Sequence, residues 1–282
     1  MDTAVAAPPE PTTQSQASGS SFYAAMRLLP RAEREGMFAV YAWCRVIDDI
    51  ADEPGPTNAE RHQLLDAWRA DLDLLYAGKP PERTNSLIEP VRRFGLNKDD
   101  FIAVIDGMEM DIDHPIQAPS FEVLDLYCDR VASAVGRLSV RIFGMNDDPG
   151  LELSHHLGRA LQFTNILRDL DEDAAMGRLY LPLEALEEAE ITSRDPHEVV
   201  SHPAIDHACR WLAKAAHEHY AHADRILSKR PPGKLRSPRL MGAVYSEILS
   251  RMEAVGWSAP RTRVKVGKAR LLWIVLRRGL ME

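Results

Sequence analysis

Residues 151–173 read LELSHHLGRALQFTNILRDLDED, and this stretch decides the class of fold. Leu157, Leu161, Phe163 and Ile166 recur at helical spacing, and no proline interrupts them. The pattern predicts one long helix over residues 151–173.

One face of this helix is polar. Because a helix advances about 100° per residue, Gln162, Asn165, Asp169 and Asp173 lie within about 80° of arc. Polar groups so close to apolar packing are costly unless they line a wet pocket or bind ions. This face is therefore the first candidate for a functional site.

The segments on either side carry the same helical periodicity. It predicts further helices over residues 31–52, 99–113, 202–227 and 237–255, and two helices or one bent at Gly136 over residues 121–143. No stretch alternates apolar and polar residues in the manner of a strand. We expect an all-α fold in one domain over residues 19–282, preceded by a disordered arm over residues 1–18, which are rich in Ala, Pro, Thr, Gln and Ser.

A second acidic cluster ends the helix predicted over residues 31–52. We call residues 48–52 the N-terminal acidic motif and residues 169–173 the C-terminal acidic motif. Tyr41, Arg45, Asp48 and Asp52 fall within about 60° of arc by the same geometry. Like charges four residues apart destabilise a helix slightly, and the helix dipole disfavours anions at this end. The pattern therefore indicates that a cation is bound here.

One such motif alone is common on a solvated helix face. Two of them, each with amide or guanidinium neighbours, favour a shared metal site. If the two helices face each other, their aspartates assemble hard oxygen ligands that suit Mg²⁺ completed by substrate phosphates. An EF-hand calcium loop starting at Asp169 is excluded, because its sixth and twelfth positions hold Ala174 and Tyr180.

The composition narrows the class of function. The chain has 282 residues and a net charge of −8, which argues against a protein that neutralises nucleic-acid phosphates. Its three cysteines form no Cys-x-x-Cys pair, which favours a reducing compartment. Because no apolar run approaches the ~20 residues of a membrane span and no signal peptide is recognised, we expect a cytoplasmic protein.

Other patterns are less specific. His217, His219 and His222 lack the His-Glu-x-x-His order of a zinc site, so we expect a solvated or partly packed helix face. The basic stretch from Arg261 to Arg270 leaves two interpretations open, contact with phosphates or anionic lipid and a charged helix start. The loops typical of serine hydrolases, P-loop NTPases and Rossmann dehydrogenases are absent.

Taken together, these motifs resemble the squalene/phytoene synthases over roughly residues 20–275. The segments that carry the resemblance are SSFY (20–23), YAWCRVIDDIAD (41–52), YCDRVASAVG (127–136), QFTNILRDLDED (162–173) and GRLYLP (177–182). The resemblance implies head-to-head prenyl transfer in the central apolar cavity of an isoprenoid synthase helical bundle.

The resemblance also implies residue roles. Two farnesyl diphosphates would bind through Mg²⁺, or Mn²⁺, held by Asp48, Asp52, Asn165, Asp169 and Asp173. The same four aspartates and Tyr127 would be catalytic. Substrate contacts are implied for Ser21, Phe22, Tyr23, Tyr41, Arg45, Gln162, Asn165, Arg168, Arg178, Tyr180 and Tyr245.

Within the family, the motifs look most like those of the bacterial members that make presqualene diphosphate for hopanoid synthesis, so no NADPH is expected. A phytoene synthase, an NADPH-dependent squalene synthase and an inactive scaffold remain alternatives. Peripheral contact with the inner face of the membrane, and association with the next enzyme of the pathway, are also left open. No nucleic-acid partner is expected.

Overall fold

The computed structural model describes residues 26, 29–113, 116–145, 148–267 and 270. The predicted arm over residues 1–18 and the predicted substrate residues Ser21, Phe22 and Tyr23 lie outside the described residues. In the described ranges the α-helices are α1 Arg31–Asp52, α2 Asn58–Tyr76, α3 Asn85–Phe94, α4 Lys98–Asp113, α5 Phe121–Cys128, α6 Ala134–Ile142, α7 Asp148–Arg168, α8 Leu170–Ala175, α9 Leu183–Glu188, α10 Pro196–Ser201, α11 Ile205–Ser228 and α12 Arg236–Val255.

The predicted all-α class is confirmed. Across these ranges the β pairing is limited to an isolated bridge between Gln117 and Leu179. A 3₁₀ turn at Glu82–Thr84 precedes α3, and a π-helix at Asp129–Ser133 joins α5 to α6. No helix within the described part of the chain is long and apolar enough to cross a bilayer.

Helix α1 has the bounds predicted from its periodicity. It buries Val40, Trp43 and Ile47 against α2, α3, α4 and α6. Trp43 meets Phe101 of α4 edge-on, with ring centroids 4.8 Å apart. This packing fixes the rotation of α1 about its axis, and with it the direction of the polar face that carries Asp48.

Helix α7 is central to the bundle. It packs on α5, α6, the π-helix, α11 and α12. A buried hydrogen bond of 2.9 Å between the hydroxyls of Thr164 and Tyr220 joins α7 to α11. Because α7 is held on several sides, its polar face has a defined orientation toward the middle of the molecule.

The predicted single helix over residues 151–173 is wrong in one respect, because the structure breaks it at Asp169. Helix α7 ends at Arg168 and α8 begins at Leu170, while Asp169 has φ −107° and ψ 18°. The carboxylate of Asp169 accepts two hydrogen bonds from the neighbouring Arg168 guanidinium, at 2.8 and 2.6 Å. This local pairing and the acidic residues that follow favour a turn over a continued helix.

The irregularity predicted over residues 121–143 is present, but it lies in the π-helix rather than at Gly136. Gly136 is inside α6, where an added Cβ would lie 3.0 Å from the Cβ of Ser154. A π-turn inserts one extra residue into a helical run and often marks a functional region. Here it sets Val131 and Ala132 into the wall of the central cavity.

Candidate active site

The centre of the bundle contains an apolar cavity of about 350 Å³, which lies within the usual range of small-molecule pockets. Helices α1, α4, α5, α6, α7 and α12 and the π-helix supply its walls. Its apolar lining includes Val104, Met108, Val131, Leu153, Leu157, Leu161 and Met241. Seven predicted site residues also line it: Tyr41, Arg45, Asp48, Tyr127, Gln162, Asn165 and Tyr245.

The N-terminal acidic motif is paired with an arginine from its own helix. The Arg45 guanidinium donates to Asp48 and, at 2.9 Å, to Asp49. Burial, followed by the nearby Asp52 carboxylate, raises the pKa of Asp48 to about 6. The side chain is therefore held in a position where its charge is unfavourable without a further cation.

The C-terminal acidic motif shows the same electrostatic pattern. Asp169 accepts from Arg168 and pairs with Arg263 at 2.9 Å. Burial, followed by the Asp169 carboxylate, raises the pKa of Asp173 to about 7. Each motif therefore contains aspartates paired with arginine and one aspartate, Asp48 or Asp173, whose ionisation is opposed by its surroundings.

Arg178 brings the two motifs to the same end of the cavity. Its Nη1 donates to Asp52 Oδ1 at 2.6 Å, and its backbone N–H donates to the carbonyl of Asp173 at 2.9 Å. The side chain is buried, and its charge also stabilises the ionised forms of Asp48 and Asp173. The condition under which the two acidic motifs would share a site, that their helices meet, is thus present at Arg178.

Asp111 of α4 is a residue that the sequence analysis missed. Its carboxylate accepts hydrogen bonds from Tyr127 at 2.9 Å and from Tyr180 at 2.8 Å, and the two phenol rings stack with centroids 5.0 Å apart. Burial raises the pKa of Asp111 and keeps the pKa of Tyr127 well above its usual value. A signal existed, because Asp111 continues the buried stripe of Val104 and Met108 at helical spacing.

The basic stretch after α12 lies against the C-terminal acidic motif. Arg261 pairs with Asp171 and donates to the carbonyl of Trp257 at 2.6 Å, while Arg263 reaches Glu172 at 3.1 Å. Residues 261–267 form no helix, whereas Arg270, at the end of the basic stretch, is helical. Arg261 and Arg263 thus pair with acids in the first turn of α8.

The oxygen donors of the two motifs fit a hard divalent cation. Asn165 supports this fit, because its side-chain Oδ1 is buried and receives no hydrogen bond from any described residue. An orphaned buried oxygen is costly in a protein interior, and a bound cation is one way to satisfy it. Asn165 lies on the cavity wall, one helical turn before Asp169. Carboxylate and amide oxygens are ligands that Mg²⁺ accepts together with substrate phosphates.

Comparison with known proteins gives a consistent result. A family model described as squalene/phytoene synthase matches residues 15–270, which include both acidic motifs. The presqualene diphosphate synthase of Rhodopseudomonas palustris is 53% identical, over 98% of this chain and 99% of that protein. The presqualene diphosphate synthase of Zymomonas mobilis is 55% identical, over 95% of this chain and 94% of that protein.

A solved structure shares the architecture. The squalene synthase HpnC from Alicyclobacillus acidocaldarius superimposes with a TM-score of 0.77 at 28% identity, covering 86% of this chain and 91% of that chain.

Proposed function

Because the chain belongs to the squalene/phytoene synthase family, we propose that it joins two farnesyl diphosphates head to head, giving presqualene diphosphate and free diphosphate. Two curated relatives at 53% and 55% identity carry that activity in their names. The structural observation that carries the proposal is the buried Arg178, which ties the two acidic motifs together at one end of an apolar cavity.

The diphosphate groups of the substrates would bind at this polar end. We propose that Asp48, Asp52, Asn165, Asp169 and Asp173 hold Mg²⁺, with Mn²⁺ as a substitute of similar ligand preference. The bound ions would supply charge neutralisation to the diphosphate that leaves.

Arg45, Arg168 and Arg178 would complete the diphosphate site. Each of these guanidiniums pairs with an aspartate of an acidic motif in the structure. Guanidinium groups bind phosphate oxygens through charge-assisted hydrogen bonds. We propose that they transfer part of this bonding to substrate when the carboxylates are engaged by metal. The same arginines would thus donate to aspartates in the free protein and to diphosphate in the substrate complex.

In the reaction, the C–O bond of one substrate breaks and diphosphate leaves with the electron pair. The double bond of the second substrate attacks the allylic cation, and loss of a proton closes the cyclopropane. Water would quench the cation, so the apolar walls formed by side chains such as Met108 and Leu157 protect it. Released diphosphate is the proposed acceptor of the proton.

Tyr127 is proposed to steer the cation. Its raised pKa keeps the phenol neutral, so it would act through its dipole and ring rather than as a base. Asp111 fixes the direction of its hydroxyl, and the stacked Tyr180 ring limits its rotation. Tyr41, Gln162 and Tyr245 would contact substrate from the cavity wall, and Ser21, Phe22 and Tyr23 remain proposals on the family pattern.

The experiment that tests the function is product analysis. Farnesyl diphosphate with Mg²⁺ is expected to give presqualene diphosphate, with rate and product unchanged by NADPH. NADPH-dependent squalene would assign a squalene synthase instead, and a forty-carbon product made only from geranylgeranyl diphosphate would assign a phytoene synthase. No turnover of either substrate would favour the inactive scaffold.

The domain limits and cellular placement are also proposals. We propose one catalytic domain over residues 19–282, located in the cytoplasm and touching the inner membrane face peripherally. The support for membrane contact is the apolar prenyl chain of the substrates. The basic residues Arg261 and Arg263 add no support, because they already pair with acids of the protein. Transfer of an amphiphilic product would also favour association with the next enzyme of the pathway.

A further inference from the structure

A cluster of imidazoles lies between α7 and α11. His155 and His156 come from the middle of α7, and His219 comes from α11. One ring nitrogen from each of the three lies within 4.8 Å of the others. The Nδ1 atoms of His156 and His219 are 3.0 Å apart. The sequence predicted only a helix face around His219, because its partners lie on another helix.

The geometry points to a second metal site, in which His155, His156 and His219 bind a divalent transition metal such as Zn²⁺. Imidazole nitrogens suit Zn²⁺, Cu²⁺ and Ni²⁺, and they do not suit the hard Mg²⁺ ion of the acidic motifs. Three histidines with an open fourth position for water is an established zinc coordination pattern.

The spacing of the nitrogens supports this assignment. Zn–N bonds of about 2.0–2.1 Å place neighbouring tetrahedral ligands roughly 3.3–3.4 Å apart, close to the His156–His219 separation. His155 is exposed and can turn toward the pair without disturbing the core. Both helices are fixed by mutual packing, so little backbone movement is needed.

The charged side chains beside the cluster are paired with one another. Arg159 lies nearby, but its guanidinium pairs with Asp125 at 2.6 Å and with Asp129 at 3.1 Å. Asp129 also accepts from Arg137, at 3.2 Å, so the two guanidiniums near the cluster are each matched by carboxylates. The Asp125 carboxylate also interacts electrostatically with His155 and His219, which favours positive charge on this side of the cluster.

His222 adds a further imidazole at the edge of the cluster. Its ring stacks on His156, with centroids 4.4 Å apart and planes 16° from parallel. Stacking restricts the rotation of the His156 ring and keeps its Nδ1 directed at His219. Metal bound here would link α7 to α11, and α7 carries Asn165 of the proposed active site at its far end.

The test is metal binding by untagged protein in saturating Mg²⁺, which keeps the acidic motifs from competing for the probe. Zn²⁺ is titrated against a chelator, and Co²⁺ is added separately as a spectroscopic probe. We expect one Zn²⁺ per chain, a visible spectrum typical of tetrahedral Co²⁺ with nitrogen ligands, and a higher melting temperature with Zn²⁺.

His156→Gln and His219→Gln should each weaken Zn²⁺ binding by more than about tenfold, the scale on which even outer partners act. The matched control is His217→Gln, on the same helix, where the ring bonds Glu253 at 2.8 Å; its affinity should equal that of the parent. If the two variants fail to fold, the exposed His155→Gln replaces them and must also weaken binding.

Equal Zn²⁺ affinity in the parent and in the folded cluster variants would overturn the proposal. Loss of Zn²⁺ binding in an Asp48→Asn, Asp173→Asn double variant would do the same, because it would place the ion in the acidic motifs. Retention in that double variant supports the histidine site independently of the proposed enzyme activity.

Discussion

At the residue scale, Asp173 shows the larger of the two raised pKa values in the acidic motifs, because its negative charge is disfavoured by burial and by Asp169. Its pKa is raised to about 7, far above the ordinary value near 3.8. A raised pKa in the folded state means that the folded protein binds the proton more tightly than the unfolded chain. The protonated Asp173 side chain therefore contributes stability at lower pH, and this contribution is lost as pH rises through about 7.

Asp173→Asn is expected to stabilise the metal-free protein at pH 8 by about 1–2 kcal/mol, since solvent screens part of the cost at this half-buried position. The gain should shrink toward pH 6, where the parent is protonated. Turnover should fall by at least about a hundredfold because a metal ligand is lost. Urea unfolding at both pH values and initial rates measure the two effects.

Asp171→Asn is the matched control for that change. Its side chain lies in the same motif but is 57% exposed and paired with Arg261, so neither pH-dependent stabilisation nor loss of turnover is expected. Equal effects of the two substitutions would mean that Asp173 acts as a surface charge and not as a metal ligand.

Tyr127→Phe tests the steering role. The change removes the hydroxyl that donates to Asp111, while Tyr180 still bonds the carboxylate. We expect kcat to fall about tenfold or more at nearly constant KM, with a stability loss of only about 1 kcal/mol. Tyr220→Phe removes a similarly buried hydroxyl bond, to Thr164, outside the cavity, and should cost stability without changing kcat. A parallel fall of kcat in both variants would argue against steering.

At the element scale, the π-helix is held in place by α7. Arg159 of α7 donates to Asp129 at 3.1 Å and to the Ser133 hydroxyl at 3.0 Å, at the two ends of the π-helix. Gly158 allows the close approach, because an added Cβ would lie 2.8 Å from the Cα of Ser133. The π-helix can therefore lie this close to α7 only because residue 158 is a glycine.

Gly158→Ala should therefore destabilise the protein by about 1–3 kcal/mol and reduce turnover, because the π-helix that lines the cavity must shift away from α7. Gly242→Ala is the control, since its new Cβ would meet only Leu157 at 3.4 Å and helix propensity favours alanine. Denaturant unfolding and steady-state kinetics of both variants give the comparison. Unchanged stability and rate in Gly158→Ala would contradict the tight packing.

At the scale of the whole molecule, binding of metal and the state of the acids are coupled. Asp48 and Asp173 have pKa values raised to about 6 and 7, and a divalent cation favours their ionised forms. Cation binding at pH 6.5 should therefore release protons to the buffer. The bound cation should also draw together the Asp48 carboxylate of α1 and the Asp173 carboxylate of α8.

EDTA should abolish turnover, and Mg²⁺ or Mn²⁺ should restore it. Calorimetric titration of Mg²⁺ at pH 6.5, in two buffers with different protonation enthalpies, should show proton release that declines by pH 8.5. The Asp48→Asn, Asp173→Asn double variant should release none. Full turnover in metal-free buffer would refute the proposed role of the cation.

The sequence by itself determined the features that depend on neighbours along the chain. Helical periodicity predicted α1 with its bounds, and the four-residue spacing of the acids placed Asp48 and Asp52 on one face. These properties are local, because backbone geometry alone sets which side chains share a helix face. The family motifs, similarly, are continuous segments.

Only the tertiary structure decided which of these faces meet. The bond from Arg178 to Asp52 joins residues 126 positions apart, and Asp111 receives its two tyrosines from different segments. The π-helix requires contact with α7, and the histidine cluster exists because α7 and α11 pack together. These features arise from packing between helices, whose relative positions a local periodicity does not specify.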